Sequence, residues 1–545
     1  MHIEKLRIEN FKCFGSPFTL ELNKGLNIIV GDNEAGKSTI LEAVHLALSG
    51  WIRGRYVATE LGESLFNKGV VKGYLASLKT DARLPPPHIL IEVFFSIEDD
   101  SIQALFEGNY NSTRAKACGI HFKIALNEKF QSEYEMLLNS GEEIHSLPIE
   151  YYDFSWASFA RDERVTPKTI PFKSALIDST DSRSQNGSDM YISRIIRDFL
   201  PDEHKIKMSQ AHRQLRDHFA MAPIIQEVNS NLAQRYISEK RVELSVDLST
   251  KTAWETSLTT SLDGIPFNFA GKGEQCLVKT KLALSHKKAQ EACVLLLEEP
   301  ENHLSHSKLN KLIKDIKANN GEKQIIISTH SSFVANKLGL ESLILINTDA
   351  HGQRREVRLR DLLPETNQFF EKLSGYDTLR LVLCKKAILV EGPSDELVVQ
   401  KAYLKIKGRL PIEDEVDVIS VGTSFLRFLE IAEKIKKPVA VVTDNDGDFY
   451  AKITKKYAMY ATSPTIKVYA DPREGLPTLE PQIVAANTDR LDLLRDILGL
   501  EPAGEYPDET SISDYMKKNK TAVALKLFDT DADVNFPQYI LEAIN

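Results

Sequence analysis

Apolar and polar residues alternate through His2-Ile-Glu-Lys-Leu-Arg-Ile8, the period-two signature of a half-buried strand. Leu26-Asn-Ile-Ile-Val30 is a short, mostly apolar run that reads as a buried strand, and Thr39-Ile-Leu-Glu-Ala-Val-His-Leu-Ala-Leu48 reads as a helix. Residues 89–95 (Ile-Leu-Ile-Glu-Val-Phe-Phe) predict a further strand. From about 100 to 240 the pattern is mixed, with helical stretches at 190–200 and 224–238 and a loop-like Asp181-Ser-Arg-Ser-Gln-Asn-Gly-Ser188. The expectation there is an inserted, mainly helical subdomain. Buried-strand patterns resume at Val294-Leu-Leu-Leu-Glu298 and at Ile325-Ile-Ile-Ser-Thr-His330. A Pro/Asn/Gly-containing connector at 349–382 leads to a second α/β pattern over 383–545, with strands expected at 387–391, 416–421, 438–443 and 465–470. The fold class is therefore α/β.

Composition adds limits. At 545 residues, two or three domains are expected. A chain that is 42% hydrophobic and 27% charged is ordinary for a soluble globular protein. The net charge, 68 − 77 = −9, is unusual for a nucleic-acid binder, but local Lys/Arg patches meet phosphates whatever the total. Five cysteines (Cys13, Cys118, Cys276, Cys293, Cys384) show no paired spacing, which points to buried thiols in a reducing compartment. No apolar run approaches membrane-spanning length, so no membrane partner and a cytoplasmic location are expected.

Chemistry first enters at Gly31-Asp-Asn-Glu-Ala-Gly-Lys-Ser38, a complete G-x₄-G-K-S phosphate loop between a predicted strand and helix. Backbone N–H groups wrap the phosphates and the helix N-terminus adds its positive dipole end. The candidate ATP contacts are Gly31, Asn33, Gly36, Lys37, Ser38 and Thr39, with Lys37 on the β- and γ-phosphates and Ser38 on Mg²⁺. The predicted strand 294–298 ends in two acids: Glu298 for the magnesium shell and Glu299 to polarise the attacking water. A strand ending in acids is also a common loop start. His330 stands where a γ-phosphate sensor would, although a histidine after a strand is usually structural.

In this order the segments resemble the ABC-type ATPases of the recombination and chromosome-maintenance group, with lobes at 1–99 and 241–348 around a helical or dimerisation insertion at 100–240. Phe269-Ala-Gly271-Lys-Gly273-Glu-Gln275 falls where that group has its signature loop, with Ala270 replacing the usual serine. Glu298 replaces the commoner aspartate. The resemblance implies nucleotide contacts from Gly271 and Gly273, an ATP-bridged homodimer, and slow hydrolysis where the serine hydroxyl is missing.

A second group of acids follows strand patterns. Ala387-Ile-Leu-Val-Glu391-Gly-Pro-Ser-Asp395 is a strand, a glycine turn and a helix start, and Pro438-Val-Ala-Val-Val-Thr443 leads into Asp444-Asn-Asp446-Gly-Asp448. Ligands of open α/β sheets gather at the carboxyl ends of strands. Hard oxygen donors there suit Mg²⁺ or Mn²⁺. Aspartates after a strand are also ordinary turn residues. This half resembles the Toprim domain, which implies metal ligands at Glu391, Asp395, Asp444 and Asp446, with Glu391 and Asp444 central to catalysis. Lysines at 434, 436, 437, 452, 455 and 456 offer phosphate contacts or plain surface charge.

An ABC ATPase followed by Toprim resembles the OLD (overcoming lysogenization defect) nucleases. That resemblance implies a second-metal ligand at Glu480 in Thr478-Leu-Glu480-Pro, and a transition-state lysine within Lys517-Lys-Asn-Lys520, with Lys520 preferred to Lys518. It implies an ATP-binding, Mg²⁺-dependent DNA endonuclease or nickase acting in defence against phage or mobile DNA, with a helicase-like or reverse-transcriptase partner. The rival reading is a non-cleaving RecF-like clamp with a degenerate Toprim appendage; attack on free nucleotides is a third. An SMC-like protein is disfavoured because no long heptad stretch separates the ATPase halves.

Overall fold

The computed structural model describes residues 1–80, 82–140, 143–178, 201–234, 260–285, 292–318, 323–348, 352–359, 361–500 and 504–545. It divides into two compact units, Met1–Asn27 with Gly36–Ser328, and Ile28–Ala35 with Thr329–Asn545.

In the first unit, alternation along His2–Glu9 buries Ile3, Leu6 and Ile8 on one face. This strand pairs antiparallel with Phe18–Glu21 and with Ile89–Ser96. Ala117–Leu126 and Tyr152–Ser158 extend the same sheet. Parallel pairing joins Phe172–Asp178, Ala292–Glu298 and Gln324–Ser328. Leu295, Leu296 and Leu297 are each 0% exposed, as expected where a parallel sheet is covered on both faces. The helix Lys37–Ser49 packs against Phe172–Asp178 and directs the phosphate-loop lysine and serine along that sheet's carboxyl end.

The stretch 100–240 departs from the helical expectation. Ala117–Leu126, Tyr152–Ser158 and Phe172–Asp178 are strands; among the described residues the helices of this stretch are Asp100–Phe106, Gln131–Asn139, Asp202–Ala220 and Pro223–Gln234. The reason is visible in Gly119-Ile-His-Phe-Lys-Ile124, whose period-two pattern buries Ile120, Phe122 and Ile124. The expected helix at 190–200 and loop at 181–188 lie outside the described residues, as does the end of 224–238 beyond residue 234.

In the second unit, residues 28–31 pair parallel with Leu343–Thr348, which pairs antiparallel with Arg354–Arg358. A separate parallel sheet runs in the order Val416–Ser420, Lys386–Val390, Val439–Val442, Ile466–Tyr469. All four strands were expected to within one residue or so at each end. The helices Pro393–Lys407 and Lys520–Asp529 pack together over this sheet's core. The segment 349–382 is more than a connector, since it carries Arg354–Arg358, the helix Pro364–Lys372 and the start of the helix Thr378–Leu383. Cys276 is buried, whereas Cys13, Cys118 and Cys384 are half-buried, so burial holds for one of these four. Among the described residues, no helix is long and apolar enough to cross a membrane.

Candidate functional site: a phosphate loop and an acidic strand-end cluster

Gly36 caps the helix Lys37–Ser49 at φ 103°, a left-handed conformation that favours glycine. A Cβ at Gly36 would lie 2.8 Å from Cys13 Sγ and from the Phe14 ring. Lys37 and Thr39 are buried and Ser38 is exposed. Thr39 Oγ1 accepts a hydrogen bond from Cys13 Sγ at 3.5 Å. The Ser38 hydroxyl is hydrogen-bonded to Glu298, so the two expected magnesium-shell groups meet. Burial pushes the Glu298 carboxyl up to about 7; the Ser38 bond opposes this and Asp178, Glu42 and Glu299 reinforce it.

Glu299 adopts φ 41°, which costs a non-glycine residue about 1–3 kcal/mol. Its N–H donates to the Ser328 carbonyl at 3.0 Å, and Asn302 Nδ2 donates to its Oε2 at 2.7 Å. Gly273, in the first turn of the helix Lys272–Ser285, faces the turn that follows Ala292–Glu298, where a Cβ would lie 2.2 Å from the His303 carbonyl oxygen. Gly271 has open space around it, and Gln275 Nε2 donates to the Ala270 carbonyl at 2.8 Å.

In the second unit, a Cβ at Gly31 would lie 2.8 Å from the Ile346 carbonyl oxygen. Asn33 is exposed. Arg354 donates from Nε to the Ala35 carbonyl at 2.8 Å and from Nη2 to the Glu34 carbonyl at 3.0 Å, which holds the loop from behind. Sequence reasoning missed this arginine, because nothing in an isolated Arg354-Arg-Glu-Val run ties it to a loop more than 300 residues earlier. The predicted strand 325–330 ends at Ser328; His330 lies beyond it, exposed, just before the helix Ser332–Leu338.

The second group of acids converges. Glu391 is the first residue past Lys386–Val390, and its carbonyl accepts the Gly422 N–H at 2.9 Å. Asp395, in the first turn of Pro393–Lys407, accepts the Gly392 N–H at 3.0 Å, which fixes the glycine turn between the two acids. Burial pushes Asp395 up to about 6, with Glu391 and Glu480 adding to the rise against the Gly392 hydrogen bond. Burial likewise lifts Asp444 to about 8, reinforced by Asp395, Glu391 and Glu480 and opposed by Lys520. Like charges held together in a half-dry crevice explain the direction.

Glu480 is buried and doubly held, by the Thr478 hydroxyl at 2.8 Å and by Lys520 Nζ at 3.1 Å. Burial pulls Lys520 down, but its bond to Glu480 and the charges of Asp444 and Asp395 leave it raised. Asp446 is turned elsewhere: it adopts φ 49° and pairs with Lys452 at 2.9 Å on the exposed side of the turn. Between the two aspartates, Asn445 is 0% exposed and donates to the carbonyls of Asp471, Arg473 and Leu476, at 2.7, 3.0 and 3.4 Å. Tyr539 donates to Gln482 at 2.7 Å beneath the same crevice. Neither supporting role was legible in sequence. Among the described residues, no three His, Cys, Asp or Glu groups stand in ready-made metal-holding geometry. The donor set itself, carboxylate oxygens at strand ends, fits a hard divalent cation.

The family described as "AAA domain" matches residues 5–131, and the family "Overcoming lysogenization defect protein-like, TOPRIM domain" matches residues 382–446. The chain joins an AAA ATPase domain to an OLD-like Toprim domain. The Toprim match spans Glu391, Asp395, Asp444 and Asp446 and stops before Glu480 and Lys520.

Among curated relatives, a chromosome partition protein Smc of Gloeobacter violaceus is 37% identical over 82 residues, 15% of this chain and 7% of that protein. The DNA double-strand break repair Rad50 ATPase of Methanopyrus kandleri is 48% identical over 46 residues, 8% of this chain and 5% of that protein. The chain thus spans less than a tenth of the curated relatives it matches.

Among solved structures, the C-terminal region of the Xanthomonas campestris pv. campestris OLD protein aligns with TM-score 0.24 and 18% identity, covering 30% of this chain and 92% of that one. An Smc head bound to the C-winged helix domain of ScpA aligns with TM-score 0.35 and 14% identity, covering 67% and 100%. At these scores, the two structures say nothing of activity.

Proposed function

We propose that this protein is an ATP-binding, Mg²⁺- or Mn²⁺-dependent DNA endonuclease or nickase of the OLD type. It works as a homodimer or higher homo-oligomer in defence against phage or mobile DNA, beside a helicase-like or reverse-transcriptase partner. One observation carries the reading: Glu391, Asp395, Asp444 and Glu480 share one crevice with Lys520 at the carboxyl ends of a parallel sheet. A chain that carries only a clamp has no use for that concentration of half-buried and buried acid.

Glu391, Asp395, Asp444 and Glu480 would hold the cation, with Asp446 at the rim. A bound divalent cation supplies charge neutralisation at a phosphodiester and a water activated for attack. Lys520, more than half exposed in its side chain, presents a cation to the charge that develops on the attacked phosphate. In the ATPase half, Lys37 and the loop amides bind the phosphates, Ser38 and Glu298 serve the magnesium shell, and Glu299 orients the hydrolytic water. Gly271 and Gly273 cap a second protomer's nucleotide, and His330 senses the γ-phosphate.

The RecF-like clamp remains a second reading because two expected ligands, Asp446 and Glu480, are already ion-paired to Lys452 and Lys520. Plasmid digestion with Mg²⁺ or Mn²⁺ separates the two. The nuclease reading expects nicking or linearisation that Glu391→Ala abolishes; intact plasmid with the wild-type protein favours the clamp, and full cutting by Glu391→Ala rejects the assigned site. Digestion of dNTPs in parallel tests attack on free nucleotides.

A further inference from the structure

Away from the acids, the second unit holds a chain of buried polar contacts that starts beside His330. Ser331 caps the helix Ser332–Leu338 by accepting the Val334 N–H at 3.3 Å. From this helix, Ser332 Oγ accepts the Leu379 N–H at 3.2 Å. Asn336 Nδ2 donates to the Ser374 and Tyr376 carbonyls at 3.3 and 2.8 Å, and its Oδ1 accepts from the Thr378 hydroxyl at 2.6 Å. Asn336 and Thr378 are 1% and 0% exposed, so water cannot replace either partner. Helix and following segment therefore move together or break a buried network.

Two residues past Thr378, Arg380 carries the connection into the Toprim sheet. Its Nε and Nη2 donate to both oxygens of Asp417 at 3.0 and 2.6 Å. Nη2 also donates to the Val418 carbonyl at 2.8 Å and to Glu396 Oε1 at 3.3 Å. Asp417 and Val418 belong to Val416–Ser420, which pairs with the strand that ends before Glu391. Glu396 directly follows Asp395 on its helix. A guanidinium that engages a carboxylate through two nitrogens is a directional, rigid joint, unlike a lysine's point charge. The joint also borders a cavity of about 880 Å³ whose wall includes Asp32, His330, Ser332, Arg380 and Asp417, so Asp32 and the edge of the Toprim sheet line one solvent space within this unit.

We infer that Arg380 is a positioning residue through which the segment following His330 sets the placement of Glu391 and Asp395, so that nucleotide occupancy is read at the acidic crevice. The consequence for cutting rests on the nuclease reading; the coupling itself does not. Two alternatives within one packed network, each biased by ligand, are what coupling requires physically.

The test is amide hydrogen exchange on the full chain with and without ATPγS, followed over residues 386–400. Wild type is expected to change its exchange there by about 5-fold or more on nucleotide addition. Arg380→Gln is expected to lose that response while ATPγS affinity stays within about 2-fold, and Arg380→Lys to recover only part of it. A merely structural staple would alter exchange equally with and without nucleotide. If Arg380→Gln melts early, Ser332→Ala, which removes a single hydroxyl, is expected to weaken the same response. An unchanged response in these variants, or no response in wild type, overturns the inference. An intact response in a protein that cuts no DNA instead rejects the nuclease reading and leaves the coupling standing.

Discussion

Lys520 places its ammonium 3.1 Å from Glu480 Oε1, while the Thr478 hydroxyl holds Oε2 at 2.8 Å. The lysine is the first residue of the helix Lys520–Asp529, directly after Asn519, which ends the preceding helix Glu509–Lys518. That break aims Lys520 at the crevice, where it opposes the rise of Asp444, whereas Lys518 belongs to the last turn of the earlier helix.

Replacing Lys520 by alanine should therefore cut metal-dependent plasmid nicking by about 10²-fold or more, the scale seen when one stabilising donor is removed. Lys518→Ala should stay within a few-fold of wild type. Rates from supercoiled plasmid at saturating Mn²⁺ would decide it; equal losses for the two variants would return the choice to open.

Gly273 supplies a stability prediction. A Cβ there would lie 2.2 Å from the His303 carbonyl oxygen, a backbone atom with no side-chain flexibility to yield. Gly273→Ala should destabilise the protein by about 1–3 kcal/mol, as overpacking does, and shift the Glu299–His303 turn. Thermal melts and ATP turnover should fall together, whereas Gly271→Ala, with open space around it, should melt as wild type does.

Asn445 is the structural counterpart of its two acidic neighbours. Its amide nitrogen is shared by three carbonyls, and its Oδ1 accepts the Gly447 N–H at 2.8 Å. Asn445→Ala leaves those buried groups unpaired, at about 1–3 kcal/mol, and frees the turn that sets Asp444. Denaturant unfolding should register the loss, and nicking should fall even where the protein remains folded. Asn445→Asp should be no better, since a carboxylate cannot donate to the three carbonyls.

These cases show what was legible in the sequence. Strands and the acids at their ends were readable because burial on both faces leaves a continuous apolar run that stops where the chain meets solvent, as at Ile388-Leu-Val390 before Glu391. The phosphate loop was readable because its glycines answer local backbone demands, such as φ 103° at Gly36. Arg354, Arg380, Asn445 and Tyr539 were not readable, because each acts on partners far away in sequence and none lies in a local pattern. The strands between 117 and 178 stand where a mainly helical insertion is expected: the apolar positions of this stretch are sparse, and only after pairing is it plain that Ile120, Phe122 and Ile124 keep a period of two. Asp446 shows the limit of motif spacing, since a left-handed turn swings it away to Lys452.

The acidic crevice also dictates a pH dependence. Asp444 rises from the ordinary carboxylate value of 3.8 to about 8 and Asp395 to about 6, in both cases first through burial and then through neighbouring carboxylates. A folded state with raised carboxyl pKa values binds more protons than the unfolded chain between the ordinary and the raised values. Stability must then fall as pH climbs through that interval. In the absence of divalent cation, the melting temperature of the Toprim half should decline from about pH 4 toward pH 8, opposite to the trend from salt-bridged acids. Mg²⁺ should restore more stability at pH 8 than at pH 5, because a cation binds ionised carboxylates and must displace protons at the lower pH. Asp444→Asn should flatten the metal-free slope and weaken the Mg²⁺ response. Differential scanning fluorimetry across this range, with EDTA or with Mg²⁺, reads both effects without any DNA. A flat profile in EDTA would mean that the carboxylates are too far apart, or too well hydrated, to feel one another.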